Sequence, residues 1–272
     1  MPKRETKKTG DVSKKRLEKE KKKESNLGRN VAIFFVILVL LGLGIGILFS
    51  PAFNLTETIV KDGTNVKAEE ITSVIEVKYG ENILKQGYNK IKQNVLLLPY
   101  IKEVKVSIHF PDKIKIAYEE RVPYATIKFL ETFFVVDKLG YLLEATKENK
   151  FSELPIVYGV ELEGYELGMQ LAEVPGLKYK NIIQLLETAK QKDIPYTISE
   201  IDYTVVSEVK LWIKEADIEI VYGEIQKEIL IDKLNYLSEA LKSLLADGKR
   251  GRIDISSDTY LEKTIFTDLN NL

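Results

Sequence analysis

The sequence predicts an α+β protein: one N-terminal membrane helix, a small strand-helix-helix-strand-strand domain, then a larger mixed β domain with packed helices. Three observations carry that prediction. A basic leader gives way abruptly to an uncharged run from Val31 to Phe49. Residues 54–122 then pass from period-two to helical apolar spacing and back again. Beyond residue 123, short alternating segments are interleaved with two amphipathic stretches.

The run VAIFFVILVLLGLGIGILF is 19 residues long. At about 1.5 Å per helical residue it matches the roughly 30 Å hydrocarbon core of a bilayer. Residues 1–30 hold 12 Lys/Arg against 5 Asp/Glu, whereas the rest of the chain holds 28 basic and 36 acidic residues. Short basic flanks stay in the cytoplasm. The expectation is therefore a cytoplasmic tail over 1–30, a helix in the lipid bilayer over 31–50, and an extracytoplasmic body. A cleaved signal peptide is the competing reading. Its apolar core is usually about 7–15 residues, and Ser50-Pro51-Ala52-Phe53 is a poor cleavage site.

Lys14-Lys15-Arg16 and Lys21-Lys22-Lys23 are interspersed with Glu18, Glu20 and Glu24, and the tail has no aromatic residue to stack on bases. It reads as a topology determinant with some attraction for anionic headgroups, and no nucleic-acid partner is expected. Gly42 and Gly46 form a GxxxG pair, a route to self-association of the helix.

There is no Cys, which removes disulfides and thiolate metal sites, and His109 is the only His, which removes multi-histidine sites. About 220 residues outside the membrane are enough to stabilise one or two domains by burial alone.

Asn54 to Lys61 alternates and reads as a strand ended by Asp62-Gly63. Asn65 to Ile71 starts a helix, with acids in its first turn and Ile71, Val74 and Ile75 at helical spacing. Asn82 is placed to cap a second helix, with Ile83, Leu84, Tyr88, Ile91 and Val95 as its stripe. Pro99 stops it. The period then becomes two: Val104, Val106, Ile108 and Phe110 point inward, and Lys105, Ser107 and His109 face water. Pro111-Asp112 suits the centre of a type I turn, and Ile114, Ile116 and Tyr118 return as the second strand of a hairpin.

Phe53-Asn54-Leu55-Thr56-Glu57-Thr58-Ile59-Val60-Lys61-Asp62-Gly63, directly after a single anchor, resembles the opening strand of a POTRA domain. Leu98 to Val106, Phe110 to Ile116, and Glu120-Arg121-Val122-Pro123-Tyr124-Ala125 follow in the order seen in the FtsQ/DivIB family of bacterial division proteins. Phe134-Val135-Val136-Asp137-Lys138-Leu139-Gly140 is similar to that family's VD-x-x-G segment, and Leu154-Pro155-Ile156-Val157-Tyr158-Gly159 to its LP-x-x-x-G segment. The resemblance covers essentially the whole chain, apart from residues 164–175, which match no family segment. It implies a POTRA domain over 54–122, a β domain over 123–266 and a short tail over 267–272.

Within that β domain, residues 180–192 read as an amphipathic helix burying Ile182, Ile183, Leu185, Leu186 and Ala189. Ile198 to Val205, Val209 to Ile213 and Ile218 to Tyr222 read as strands. A long helix from about Glu228 to Asp247 carries Ile229, Leu230, Leu234, Leu237, Leu241 and Leu244 inward, and Gly248 ends it. Gly251 to Ile255 and Thr259 to Phe266 read as the last strands.

No arrangement of catalytic groups emerges. Glu119 and Glu120 are strand neighbours and face opposite sides, no phosphate loop of the form GxxxxGK[ST] occurs, and Trp212 reads as a core or interface residue. No catalytic residue, cofactor or metal is expected. What remains is recognition at a sheet edge. The resemblance implies a divisome scaffold at the septum whose last strands hold FtsL-like and DivIC/FtsB-like partners. Arg252, Asp254, Tyr260, Ile265 and Phe266 are the candidate contacts. A membrane-anchored peptidoglycan-binding or wall-modifying protein is the alternative.

Overall fold

The computed structural model describes residues 29–162, 164–171, 179–192, 194, 197–257 and 265–268. Most of the basic tail lies outside these residues. Helix α1, Arg29–Leu48, is 20 residues long with a mean hydropathy of 3.1, and none of it is buried by protein. It is the one helix among the described residues that is long and apolar enough to cross a membrane.

The strand-helix-helix-strand-strand order expected after α1 is present: β1 Glu57–Ile59, α2 Ala68–Val74, α3 Tyr88–Leu96, β2 Ile101–His109 and β3 Lys113–Glu120. The sheet runs β1-β3-β2, with β1 parallel to β3. The chain divides into two compact units that are not contiguous in sequence. One comprises the described part of 1–59 together with 77–87 and 107–115; the other comprises 60–76, 88–106 and 116–272.

In the first unit, α1 ends at Leu48 and, after the extended Ser50, a 3₁₀ turn follows over Pro51–Phe53. Asn82 does cap a helix, but a shorter one than its apolar stripe suggested. Its Oδ1 accepts from Leu84 N at 2.9 Å over the single 3₁₀ turn Ile83–Lys85. The chain then leaves helical geometry at the extended Gln86, whose buried side chain pairs with both backbone groups of Lys78, at 3.0 and 2.9 Å. The Phe110–Pro111 peptide is cis, and Phe110, expected to point inward, is 57% exposed. His109 is exposed, as its register required.

In the second unit, α2 is capped from a distance. Asp62 Oδ1 accepts from Ala68 N at 2.8 Å, and Glu70 reaches back to Lys67 N at 3.1 Å. Lys67 itself has no acceptor to offer, so only Glu70's half of a capping box forms. Glu119 and Glu120 diverge as the strand alternation demanded. Glu119 pairs with Lys102 at 2.5 Å, while Glu120 accepts from Asn65 N at 2.9 Å and Val66 N at 3.0 Å.

The same unit holds a nine-stranded mixed sheet. Its strands are β4 Pro123–Phe129, β5 Thr132–Asp137, β6 Leu142–Thr146, β7 Ile156–Tyr158, β8 Glu200–Asp202, β9 Val209–Ile213, β10 Ile218–Gly223, β11 Gly251–Asp254 and β12 Ile265–Asp268. Their order is β12-β11-β10-β9-β8-β7-β4-β5-β6. Pairs β4–β7, β7–β8 and β10–β11 are parallel. Parallel neighbours need a crossover: helix α4, Tyr179–Gln191, lies between β7 and β8 in sequence, and α5, Leu230–Ala246, between β10 and β11.

All five inward positions expected on α4 are buried. On α5, Leu230, Leu234, Leu237 and Leu241 are buried, and so, unexpectedly, are Lys233 and Ser238. The Lys233 ammonium lies 4.7 Å from the centroid of the buried Tyr222 ring, so its charge is turned toward a π face within the domain. The core contains both helices together with Leu211, Ile220 and Ile253 from the sheet.

Two quoted sequence segments explain themselves here. Gly140 has φ +82° in the β5–β6 turn, a left-handed conformation in which other residues are strained. A Cβ on Gly159 would stand 2.2 Å from Thr204 N, so the chain after β7 passes the end of β8 too closely for any other residue.

Candidate functional site

The turn after β5 is built around Asp137, which is 5% exposed. Its Oδ1 accepts from Leu139 N and Tyr141 N at 2.9 and 2.8 Å, and its Oδ2 accepts from Arg121 Nη1 at 2.9 Å. The Arg121 guanidinium also lies 3.4 Å from the Tyr141 ring centroid. Two segments separated in sequence, Glu120-Arg121-Val122 and Val136-Asp137, therefore meet in one buried ion pair. Tyr179 on α4 donates to the Asp137 carbonyl at 3.1 Å, and burial, with Asp137 adding to it, pushes the Tyr179 phenol above its usual range. Both carboxylate oxygens of Asp137 are occupied by structural partners, and the cluster joins the two segments.

Residues 164–171, in the stretch the sequence left unassigned, secure the start of β6 and the turn before it. Gly168 N donates to Leu142 O at 2.7 Å, Leu142 N to Met169 O at 2.9 Å, and Leu171 N to Gly140 O at 2.8 Å. The Gln170 side chain donates to Leu139 O at 2.9 Å. These bonds tie the first residue of β6 and the turn before it to the protein's own backbone.

At the opposite end, β12 pairs antiparallel with β11, with Arg252 opposite Thr267, Ile253 opposite Phe266, and Asp254 opposite Ile265. That register sorts the candidate residues. Phe266 stands on the side of the buried Ile253 and packs against the core. Arg252, Asp254 and Ile265 stand on the other face, and Ile265 is 61% exposed. Tyr260 lies outside the described residues. Among the described residues, β12 has β11 as its sole sheet partner.

The same face continues inward from the edge. Arg252 is opposite Glu219, Glu219 opposite Trp212, and Trp212 opposite Glu200. Arg252 Nε lies 3.8 Å from Glu219 Oε2 across exposed surface, a contact of little stabilising value. Lys214 pairs with Glu200 at 2.5 Å, and that hydrogen bond holds the ammonium above its usual pKa. Asp254 is partly committed, since its Oδ1 accepts from Ser256 N at 2.9 Å and Ser256 Oγ at 2.7 Å. A cleft of about 250 Å³ opens beside Trp212, Glu219 and Arg252.

A larger cleft of about 550 Å³ is lined by Val122, Tyr124, Leu154, Leu186 and Ile198, with Glu153 and Lys190 as its charged residues. Those two groups do not make an acid–base or nucleophile arrangement. Among the described residues no cluster of three or more His, Asp or Glu is placed to hold a metal. The β11–β12 edge combines short strands, an exposed apolar residue, and charges of both signs on one face. The signal for it in the sequence was positional, the last alternating segments after the long helix. The hold of residues 164–171 on the start of β6 left no periodic signal at all.

A POTRA domain model of the FtsQ type matches residues 53–121. The cell division protein DivIB of Clostridium botulinum (strain Loch Maree / Type A3) is 29% identical over 254 residues, covering 90% of this chain and 95% of that protein. DivIB of Clostridium tetani is 28% identical over 208 residues, covering 76% of this chain and 77% of that protein. The cell division protein FtsQ of Syntrophotalea carbinolica is 25% identical over 121 residues, 43% of each chain.

Proposed function

We propose that this chain, a homologue of the DivIB and FtsQ cell division proteins with a POTRA domain of the FtsQ type, is a non-catalytic scaffold of septum assembly. In this reading α1 anchors it in the plasma membrane with residues 1–30 in the cytoplasm. A POTRA domain over 54–122 and a β domain over 123–266 then stand outside. The β domain binds FtsL-like and DivIC/FtsB-like partners by adding a partner strand at β12.

The observation that carries this reading is the place of β12 at the end of the sheet, where among the described residues β11 is its sole sheet partner. Unpaired backbone donors and acceptors on an edge are a template for another chain. The exposed Ile265 beside Asp254 and Arg252 supplies an apolar contact flanked by charge.

The test replaces Ile265 with Pro, which removes one N–H from the edge strand and constrains its backbone. Capture of the FtsL–DivIC pair by the full-length variant should fall strongly, while its thermal melt stays close to that of the parent. Unchanged capture with an intact fold would move the binding surface away from β12. Topology has its own measurement: protease added to wall-stripped cells should degrade the body and spare an N-terminal tag.

A further inference from the structure

The unit that contains α1 ends its membrane helix in a way that a flexible tether would not. Ser50 N donates to Ile47 O at 2.9 Å, Phe53 N to Ser50 O at 3.0 Å, and Asn54 N to Pro51 O at 3.1 Å. Ser50 is extended, with φ −71° and ψ 158°, so the helix stops there, and these backbone hydrogen bonds carry the chain through a tight turn. The buried Asn82 side chain donates to Leu48 O at 2.9 Å, satisfying one of the carbonyls that a helix C-terminus leaves open. Leu55 N donates to Glu81 O and Gly80 N to Leu55 O, both at 2.9 Å. The end of α1 and the segment 80–85 are fixed to one another.

Around this junction lie apolar side chains that the protein leaves uncovered. Phe49 is 54% exposed and Leu84 39% exposed, alongside Phe110 at the tip of the β2–β3 hairpin. The Phe53 and Phe110 rings meet edge to face with centroids 6.1 Å apart. Lys85 is exposed, and its ammonium lies 5.7 Å from the Phe49 ring centroid.

An exposed phenylalanine at a hairpin tip is costly in water and is expected where another apolar phase meets it. Here that phase is specified by continuity. The patch surrounds the point where the membrane helix ends. Aromatic rings with a lysine able to extend its charge past them are the residues that settle at a lipid–water interface.

We propose that Phe49, Phe53, Leu84, Lys85 and Phe110 form a lipid-docking surface that seats this unit on the outer leaflet of the bilayer. The rings lie at the headgroup–acyl boundary, and the Lys85 ammonium is level with the phosphates. The proposal rests on α1 spanning the membrane and is independent of what binds at β12.

Trp212 is the only tryptophan in the chain, so a single-tryptophan reporter is available. In a Trp212→Phe background, Phe110→Trp and, separately, Leu84→Trp are placed in the full-length chain and reconstituted in phosphatidylcholine–phosphatidylglycerol nanodiscs. The lipids are brominated near the headgroup end of the acyl chains. Each tryptophan should lose about half its emission relative to unbrominated lipid and be shielded from aqueous iodide, as expected for a ring at the interface.

Quenching by iodide and not by bromolipid would overturn the proposal, with the patch facing solvent. Protection from both quenchers would overturn it in favour of cover by a second copy of the chain. Failure of the chain to enter nanodiscs would overturn the anchor reading as well, whereas incorporation without bromolipid quenching would overturn the docking surface alone.

Discussion

At one edge of the nine-stranded sheet the chain lays residues 164–171 against β6. At the other, among the described residues, β12 meets only β11. The covered edge is also the better buried. It adjoins the Arg121–Asp137 pair, whose side chains are 11% and 7% exposed. The uncovered edge carries an exposed isoleucine and a loose 3.8 Å ion pair. An edge strand attracts other chains unless it is blocked, and the contacts from residues 168–171 block β6 at its first residue.

The largest effect that separates the two edges should come from Arg121→Met. It leaves the Asp137 carboxylate without its cation in a nearly dry site, at a cost of about 3 kcal/mol, read from the urea midpoint of the body. A loss no larger than that of Arg252→Ala would erase the distinction.

Next is Tyr179→Phe, which removes the hydrogen bond to the Asp137 carbonyl and should cost about 1 kcal/mol near neutral pH. It should also alter the alkaline limb. Burial raises the folded-state pKa of Tyr179, and burial followed by the Glu144 charge raises that of Tyr100. Stability held by a neutral phenol is fully present below the unfolded value of about 10 and is lost as pH rises through the folded value. Melts between about pH 8 and pH 11 should therefore fall less steeply in the Phe variant, with Tyr100 accounting for part of the remaining slope.

Of similar size is Gly168→Ala. This glycine has φ +85°, and the nearest atom to an added Cβ is Pro99 Cα at 4.0 Å, so the cost is backbone strain of about 1 kcal/mol. Hydrogen exchange at the Leu142 amide should quicken as the cover loosens. Unchanged exchange there would mean that residues 164–171 do not hold the edge.

The smallest stability effect belongs to Ile265→Thr, under about 0.5 kcal/mol, yet it should weaken partner capture more than any of the three changes at the covered edge. Retained capture would break the comparison on its functional side.

Much of this was legible in the sequence because it is local. The anchor, the period-two hairpin, α4 and α5 each announce themselves by spacing, and the buried residues of α4 are those the pattern named. The strand order was not legible. Nothing in the periodicity of Ile156-Val157-Tyr158 says that it runs parallel between β4 and β8, because pairing over long separations leaves no local trace. Residues 164–171 were unreadable for the same reason: their backbone, not an apolar pattern, makes the contacts.

Phe110 was misassigned because alternation reports a face and cannot report where the sheet beneath that face stops. At the candidate site, Arg252 and Asp254 lie on β11 and Ile265 on β12. Their separation from Phe266 onto opposite faces required the register.

The crossover from β10 through α5 to β11 makes the exposed edge a late product of synthesis. β11 is parallel to β10 and cannot pair until the whole of α5 has been made and packed. β12 follows it. With β12 as the proposed docking edge, a chain arrested before Gly251 should capture no partner strand in a pull-down of stalled chains. The proposed function thus ties strand capture to completion of the sheet.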